Sequence, residues 1–159
     1  MNNNNQRRNK SYFEQQRIQF NDPNFYKRLT DDELRRQVKR IIRDIRNGNI
    51  TQQDMIYFQN DRIISACICE SYEQSRKANI IAEALKYYNM ALSTNSIAIN
   101  NSEINARSAY CANTLNEFSN KATVWYECWK MFDSISKGCD IAYALTHISN
   151  LNLEWFKYL

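Results

Sequence analysis

The sequence predicts an all-α protein: a helical bundle built on a long antiparallel helix pair, with an extended N-terminal arm and an aromatic C-terminal tail. No proline follows Pro23, so no ring interrupts a long helix after that point. The only two glycines, Gly48 and Gly138, follow apolar runs with helical spacing, where a left-handed residue commonly ends a helix. No alternating pattern bounded by turn residues predicts a strand.

The strongest apolar pattern lies between the two glycines. It follows a four-three spacing interrupted once, by Ser108, through Ile104, Cys111, Leu115, Phe118, Ala122, Trp125, Trp129 and Phe132. This spacing aligns side chains along one stripe of a helix, and a partner helix normally covers such a stripe. We therefore predict a helix over Ser102–Lys137 that pairs with the helix before it.

A capping box predicts the start of the first helix. Thr30 can accept a bond from a free backbone N–H, and Glu33 can reach back to the N–H of Thr30. The apolar face of this helix carries Leu34, Val38, Ile41, Ile42 and Ile45. The opposite face carries Arg35, Arg36, Lys39, Arg40, Arg43 and Arg46. We expect a strongly amphipathic, cationic helix over Asp31–Asn47.

A second helix is predicted over Thr51–Leu92, opened by Asp54 and bent near Asn60 and Asp61. Its expected apolar positions are Tyr57, Ile64, Cys67, Ala78, Ile81, Leu85 and Tyr88. The mostly polar stretch at residues 93–101 predicts the reversal that makes the long pair antiparallel.

Three regions are predicted: an extended arm at residues 1–29, a helical bundle at residues 30–150 and a docking tail at residues 151–159. The arm carries aromatic residues that are expected to contact a partner surface: Tyr12, Phe13, Phe20, Phe25 and Tyr26. The tail carries a second such set: Trp155, Phe156, Tyr158 and Leu159. The alternative for the tail is that it folds back on its own bundle.

Charge is unevenly distributed along the chain, although the net charge is only +4. Residues 1–46 hold twelve basic and six acidic side chains, whereas the remaining residues hold nine basic and eleven acidic ones. This polarity predicts that the N-terminal region meets DNA or an acidic protein surface. No apolar run approaches the roughly 18 residues that span a bilayer, so no membrane partner is expected.

The sequence predicts no catalytic, metal or cofactor site. His147 is the only histidine, and the odd number of five cysteines in helical patterns predicts reduced, mostly buried thiols. Two glycines are too few for a glycine-rich phosphate loop. The enzymatic alternative would use an acid or a thiol in a pocket between helices, for which Glu70 and Cys111 are the candidates. The predicted location is a virion or the reducing cytoplasm of a host cell.

With one amphipathic helix (Asp31–Asn47), a long helical pair (Thr51–Leu92 and Ser102–Lys137) and extended ends, the chain resembles the small helical adaptor and ring proteins of the head-to-tail connector of tailed phages. The resemblance implies a non-enzymatic virion subunit that forms a homo-oligomer and contacts other protein subunits. The cationic face would then line a DNA passage or meet an acidic partner. The alternative function is a nucleic-acid-binding accessory protein that uses the same face, residues 34–46.

Overall fold

The computed structural model describes residues 18–19, 21–22, 24, 29–59, 61–94 and 101–159. Its bounded elements are α1 (Asp31–Arg46), α2 (Gln52–Phe58), α3 (Arg62–Thr94), α4 (Asn101–Ser136), α5 (Ile141–Ser149) and a short 3-10 helix (Trp155–Tyr158). The described residues contain no strand, and the predicted all-α class is confirmed. The arm aromatics lie outside the described residues: Tyr12, Phe13, Phe20, Phe25 and Tyr26.

The helix ends follow the local signals in the sequence. At the start of α1 the capping box is complete, because Thr30 Oγ1 accepts from the Glu33 N–H at 3.2 Å and the Glu33 carboxylate accepts from the Thr30 N–H at 3.4 Å. Gly48 follows α1 with a φ of +73°, a left-handed conformation that favours glycine. The predicted bend in the second helix is a break between α2 and α3.

Helices α3 and α4 form an antiparallel hairpin, the most extensive packing contact in the described structure. The Tyr72 ring lies 5.7 Å from the Trp129 ring, and further along the pair the Ser75 hydroxyl donates to the Ala122 carbonyl at 2.9 Å. Four members of the predicted α4 stripe are buried: Cys111, Ala122, Trp125 and Phe132. The other four are half-buried: Ile104, Leu115, Phe118 and Trp129. The predicted seam on α4 is therefore confirmed.

The packed face of α3 matches the predicted one only in part: Ile64, Cys67 and Ala78 are buried as expected. Its buried positions in the hairpin are mostly small: Ser71, Ser75, Ala78 and Ala82, with Leu92 near the end. The expectation that Ile81 and Tyr88 are packed is wrong, because they are 39% and 46% exposed. Small side chains allow two helix backbones to approach closely, so the small face of α3 meets the large side chains of α4 and the larger apolar face of α3 turns outward.

The main hydrophobic core lies at one end of the hairpin. Its buried members come from residues 38–67 and 124–159, and they include Trp125, Phe132 and Ile41. Helices α1, α2 and α5 and the 3-10 helix contribute to this base. Residues 76–94 of α3 and 101–121 of α4, which we call the outer hairpin, lie outside the residue ranges of this core. The α3 part of the outer hairpin is about 28 Å long at 1.5 Å per residue.

The close approach of α3 and α4 predicts the effect of enlarging the small face. Replacing Ala78, which is 5% exposed, with leucine should lower the free energy of unfolding by about 1–3 kcal/mol, because the extra atoms have no space between the helices. Urea unfolding followed by circular dichroism measures this change. Ala106→Leu, at an exposed position on α4, is the matched control and should change stability by less than about 0.5 kcal/mol. Equal effects at both positions would contradict the packing described here.

Candidate functional site

The six basic residues of α1 do not form one free cationic face. At its start the Arg35 guanidinium donates to Asp32 at 2.8 Å. At its end the guanidinium carbons of Arg43 and Arg46 lie 5.2 Å and 4.3 Å from the centre of the Phe156 ring. Cations over aromatic faces are attracted by the ring quadrupole. The cationic helix and the aromatic tail, predicted as separate contact sites, are therefore joined within one chain.

The tail packs on its own bundle, which is the alternative stated for it from the sequence. Trp155 and Leu159 belong to the hydrophobic core, at 6% and 8% exposed, while Phe156 and Tyr158 are half-buried. If either buried side chain left the core to reach another subunit, the chain would lose about 1.5–3 kcal/mol of hydrophobic stabilisation. Docking of the tail on a neighbour stays a prediction, and this packing opposes it.

The middle of α1 keeps a smaller cationic surface. Arg36 and Arg40 are exposed, and Lys39 is half-buried. Burial lowers the pKa of Lys39, and the positive charges of Arg35 and Lys121 lower it further. Lys121 comes from α4 and could not be found from the sequence, because only the packing of α1 across the hairpin brings it close. Gathered cations of this kind repel one another, and an anionic partner would relieve that repulsion.

A serine, a histidine and an acid come together between α4 and α5. The Ser134 hydroxyl lies 3.0 Å from His147 Nε2, and His147 Nδ1 lies 3.8 Å from the Glu127 carboxylate. The sequence predicts no site at His147, and it does not predict that Ser134 and Glu127 lie beside this histidine. The one available signal is the seven-residue spacing of Glu127 and Ser134, which places both on one face of α4. Acyl transfer also needs donors for an oxyanion, and backbone N–H groups in a helix interior are used by the helix itself. We interpret the cluster as a polar contact that holds α5 on α4.

This structural interpretation predicts a measurable coupling. Ser134→Ala and His147→Ala should each lower the free energy of unfolding by about 1 kcal/mol, and the double variant should lose less than the sum of the two. Urea unfolding of the four proteins in the cycle measures the coupling. Thr146→Ala, which removes an exposed hydroxyl bonded to the Tyr143 carbonyl, is the control. Strict additivity would show that the two side chains do not stabilise the contact together.

The two residues named for an enzymatic pocket are both buried but lie apart. Glu70 is 8% exposed and accepts a bond from the Gln74 amide at 2.9 Å, and Cys111 is 1% exposed. The Ser75–Ala122 bond sets the register of α3 against α4. In this register, Cys111 is about 16 residues, or roughly 24 Å, away along α4 from the residue that lies opposite Glu70. They do not share a pocket.

The environment of Glu70 predicts how stability depends on pH. Burial raises the pKa of Glu70 above the ordinary 4.5, so ionisation opposes folding; this destabilisation is absent below the ordinary pKa, grows as the pH rises from there to the folded pKa, and stays constant above it. Glu70→Gln should therefore be more stable than the wild type at pH 7, and the difference should disappear near pH 4. Urea midpoints between pH 4 and pH 8 measure it. Glu103→Gln, at an exposed carboxylate 2.9 Å from Arg107, is the control and should not gain stability. A Glu70→Gln protein that is less stable at pH 7 would contradict this account.

The cysteines are all free, as predicted, and three of them are buried: Cys67, Cys111 and Cys128. Burial raises the pKa of the Cys67 and Cys128 thiols, which makes them poor nucleophiles and poor metal ligands. Across the described ranges, no group of three metal-ligating side chains converges. Within the same ranges, every helix is too short or too polar to cross a bilayer.

The outer hairpin carries the largest exposed apolar feature of α3. Ile80, Ala84, Tyr87 and Ala91 are all exposed, and their four-three-four spacing aligns them along the face opposite α4; we call this set the outward stripe. Further exposed apolar side chains flank it: Ile81, Tyr88 and Met90. Helix α3 is thus apolar on two opposite faces, one packed on α4 and the other exposed. A helix that is apolar all round is normally buried.

Comparisons with protein-family models, with curated proteins and with solved structures find no match for this chain. Its function is therefore inferred from the surfaces described above.

Proposed function

We propose that this chain is a non-enzymatic assembly subunit that works by protein–protein contact through the outward stripe. One observation carries the proposal: in the outer hairpin, α3 packs mostly small side chains on α4 and leaves Ile80, Tyr87 and Met90 exposed. Ala78 and Ala82 are each 5% exposed, whereas Tyr87 is 71% exposed. Burial of one large apolar side chain stabilises a protein by about 1.5–3 kcal/mol, so a partner that covers the outward stripe would gain free energy that the hairpin alone cannot.

The base of the molecule supports this role because it fixes the hairpin. The core at residues 38–67 and 124–159 holds the inner ends of α3 and α4, so the outer hairpin projects from it as a pair of helices. Helical surfaces with four-three apolar spacing bind other helices in bundles. We propose further that the assembly is a phage virion, in which the chain is a connector adaptor or ring subunit; the helical architecture and the polarised charge support this finer assignment.

A charge placed on the outward stripe should release the chain from its assembly. Tyr87→Glu is expected to shift the protein, isolated from its source cells, from a large complex to the mass of a single chain, because a carboxylate in an apolar contact loses its hydration. Native mass spectrometry or light scattering after gel filtration measures the mass. Tyr143→Glu, at a tyrosine 56% exposed on α5, is the matched control and should leave the complex intact. A wild-type chain that is monomeric when isolated from these cells would contradict the proposal.

A second candidate function is nucleic-acid binding by the middle of α1. The observation that favours it is the gathering of Arg36, Lys39 and Arg40 beside Lys121 of the neighbouring helix. Side chains from two helices that converge in this way can contact adjacent phosphates along one backbone.

Salt dependence tests this candidate. Binding to a fluorescent DNA duplex should weaken steeply between 50 mM and 200 mM salt, and Lys39→Glu should reduce the affinity and lower the slope of log affinity against log salt by about 1. Fluorescence anisotropy measures both quantities. Arg76→Glu, at an exposed arginine paired with Glu73 on α3, is the control. Affinity that is insensitive to salt and to the Lys39 change would eliminate this function.

A further inference from the structure

We infer that the partner covering the outward stripe is a second copy of this chain, packed antiparallel so that the two α3 helices lie side by side in a four-helix bundle. The inference rests on the proposed function and identifies its partner. It is supported by three independent properties of the stripe: the order of its side-chain sizes, the charges on its flank and its area.

The sizes along the stripe alternate between large and small. The order is Ile80, Ala84, Tyr87 and Ala91. In an antiparallel pair centred between Leu85 and Lys86, Tyr87 lies opposite the second copy's Ala84, and Ile80 lies opposite the second copy's Ala91. Every layer then combines a large side chain with a small one, which fills space evenly. A parallel pair would oppose Tyr87 to Tyr87 and Ala84 to Ala84, leaving crowded and empty layers in turn.

The flank of the stripe is complementary to itself in the same alignment. Glu83 lies beside the stripe, Lys86 lies one row further round the same side of α3, and neither forms an ion pair within the described residues. Neighbouring charges are already paired within the chain, such as Glu103 with Arg107 at 2.9 Å and Arg76 with Glu73 at 2.6 Å. In the antiparallel pair, Glu83 of one copy lies within about two residues, or roughly 3 Å along the axis, of Lys86 of the other. The two-fold symmetry makes this contact twice.

The exposed area matches what a stable dimer needs. The large side chains on and beside the stripe are Ile80 (52% exposed), Ile81 (39%), Tyr87 (71%), Tyr88 (46%) and Met90 (62%). At about 200 Å² for each whole side chain, they expose on the order of 500 Å². Ile81 and Met90 lie about 180° apart around the helix and flank the stripe on opposite sides, so one packed helix covers them in part, and the interface is at most about 800 Å² per copy, the standard size for a specific complex.

Sedimentation equilibrium of the purified full-length protein tests the second copy directly. The wild type should sediment at twice the monomer mass of 18.9 kDa. Tyr87→Glu should raise the dimer dissociation constant by about 100-fold or more, as for a central interface residue. Tyr110→Glu is the matched control, because Tyr110 is 67% exposed on the same side of α4 as the Glu103–Arg107 ion pair and should not affect the dimer. A wild type that is monomeric up to about 100 μM, or a dimer unaffected by Tyr87→Glu, would overturn the inference.

A charge exchange tests the flank. Glu83→Lys should weaken the dimer about threefold to tenfold, and adding Lys86→Glu to the same chain should restore its affinity, because both intermolecular pairs reform with reversed signs. Circular dichroism of each variant checks that the fold is retained. A double variant that dimerises no better than Glu83→Lys would overturn the proposed alignment.

The native exposed thiol of Cys69 reports the direction of the pair. Cys69 lies eleven residues before Ile80, which is three helical turns on the same face, and Cys139→Ser removes the other partly accessible thiol. In the antiparallel dimer the two Cys69 positions are about 50 Å apart along the axis, whereas in a parallel dimer they are adjacent. Double electron–electron resonance between spin labels on Cys69 should show the long distance. A distance under about 20 Å would overturn the antiparallel arrangement.

The failure of this inference is distinguishable from the failure of the proposed function. A purified chain that stays monomeric, while the complex from source cells still depends on Tyr87, overturns the second copy as partner and leaves the assembly function standing. A chain that is monomeric in both preparations overturns both.

Discussion

The close packing of the small face of α3 against the stripe of α4 is the contact on which the rest of the structure depends. Ser75, Ala78 and Ala82 let the helix axes approach, and the hydroxyl of Ser75 fixes their register by its bond to the Ala122 carbonyl. Once this register is set, the large side chains of α3 have no room between the helices and must face outward. The exposed stripe is therefore a direct consequence of how the hairpin is held together.

The base of the molecule shows a second consequence of the same architecture. Two helices alone cannot enclose a large core, so α1, α5 and the C-terminal segment cover the inner ends of the hairpin and bury Trp125, Phe132 and Trp155. This cover involves the cationic face of α1, since Arg43 and Arg46 lie over the Phe156 ring. Part of the charge that the sequence assigned to an external partner is thus used inside the chain.

The helices and their ends could be predicted from sequence because their signals are local. The capping box at Thr30, the left-handed glycine at Gly48 and the four-three spacing on α4 each act within a few residues. The packed face of α3 could not be predicted in the same way, because it depends on what lies across the hairpin. Apolar residues occur on more than one face of that helix, and the spacing of Ala78, Ile81, Leu85 and Tyr88 favoured a face that is only partly packed. The influence of Lys121 on the pKa of Lys39 and the contact of Ser134 with His147 likewise join segments that only the fold brings together.

The position of the core at one end also determines how the molecule opens. The outer hairpin is held by a single seam of small side chains, whereas the base is enclosed by several elements, so local unfolding should begin at the far end of α3 and α4 and stop at the base. Occupation of the outward stripe would add a second layer of contacts to the same segment. The outer hairpin would then be stably folded only in the assembled state, and its amide hydrogens would exchange slowly only after association.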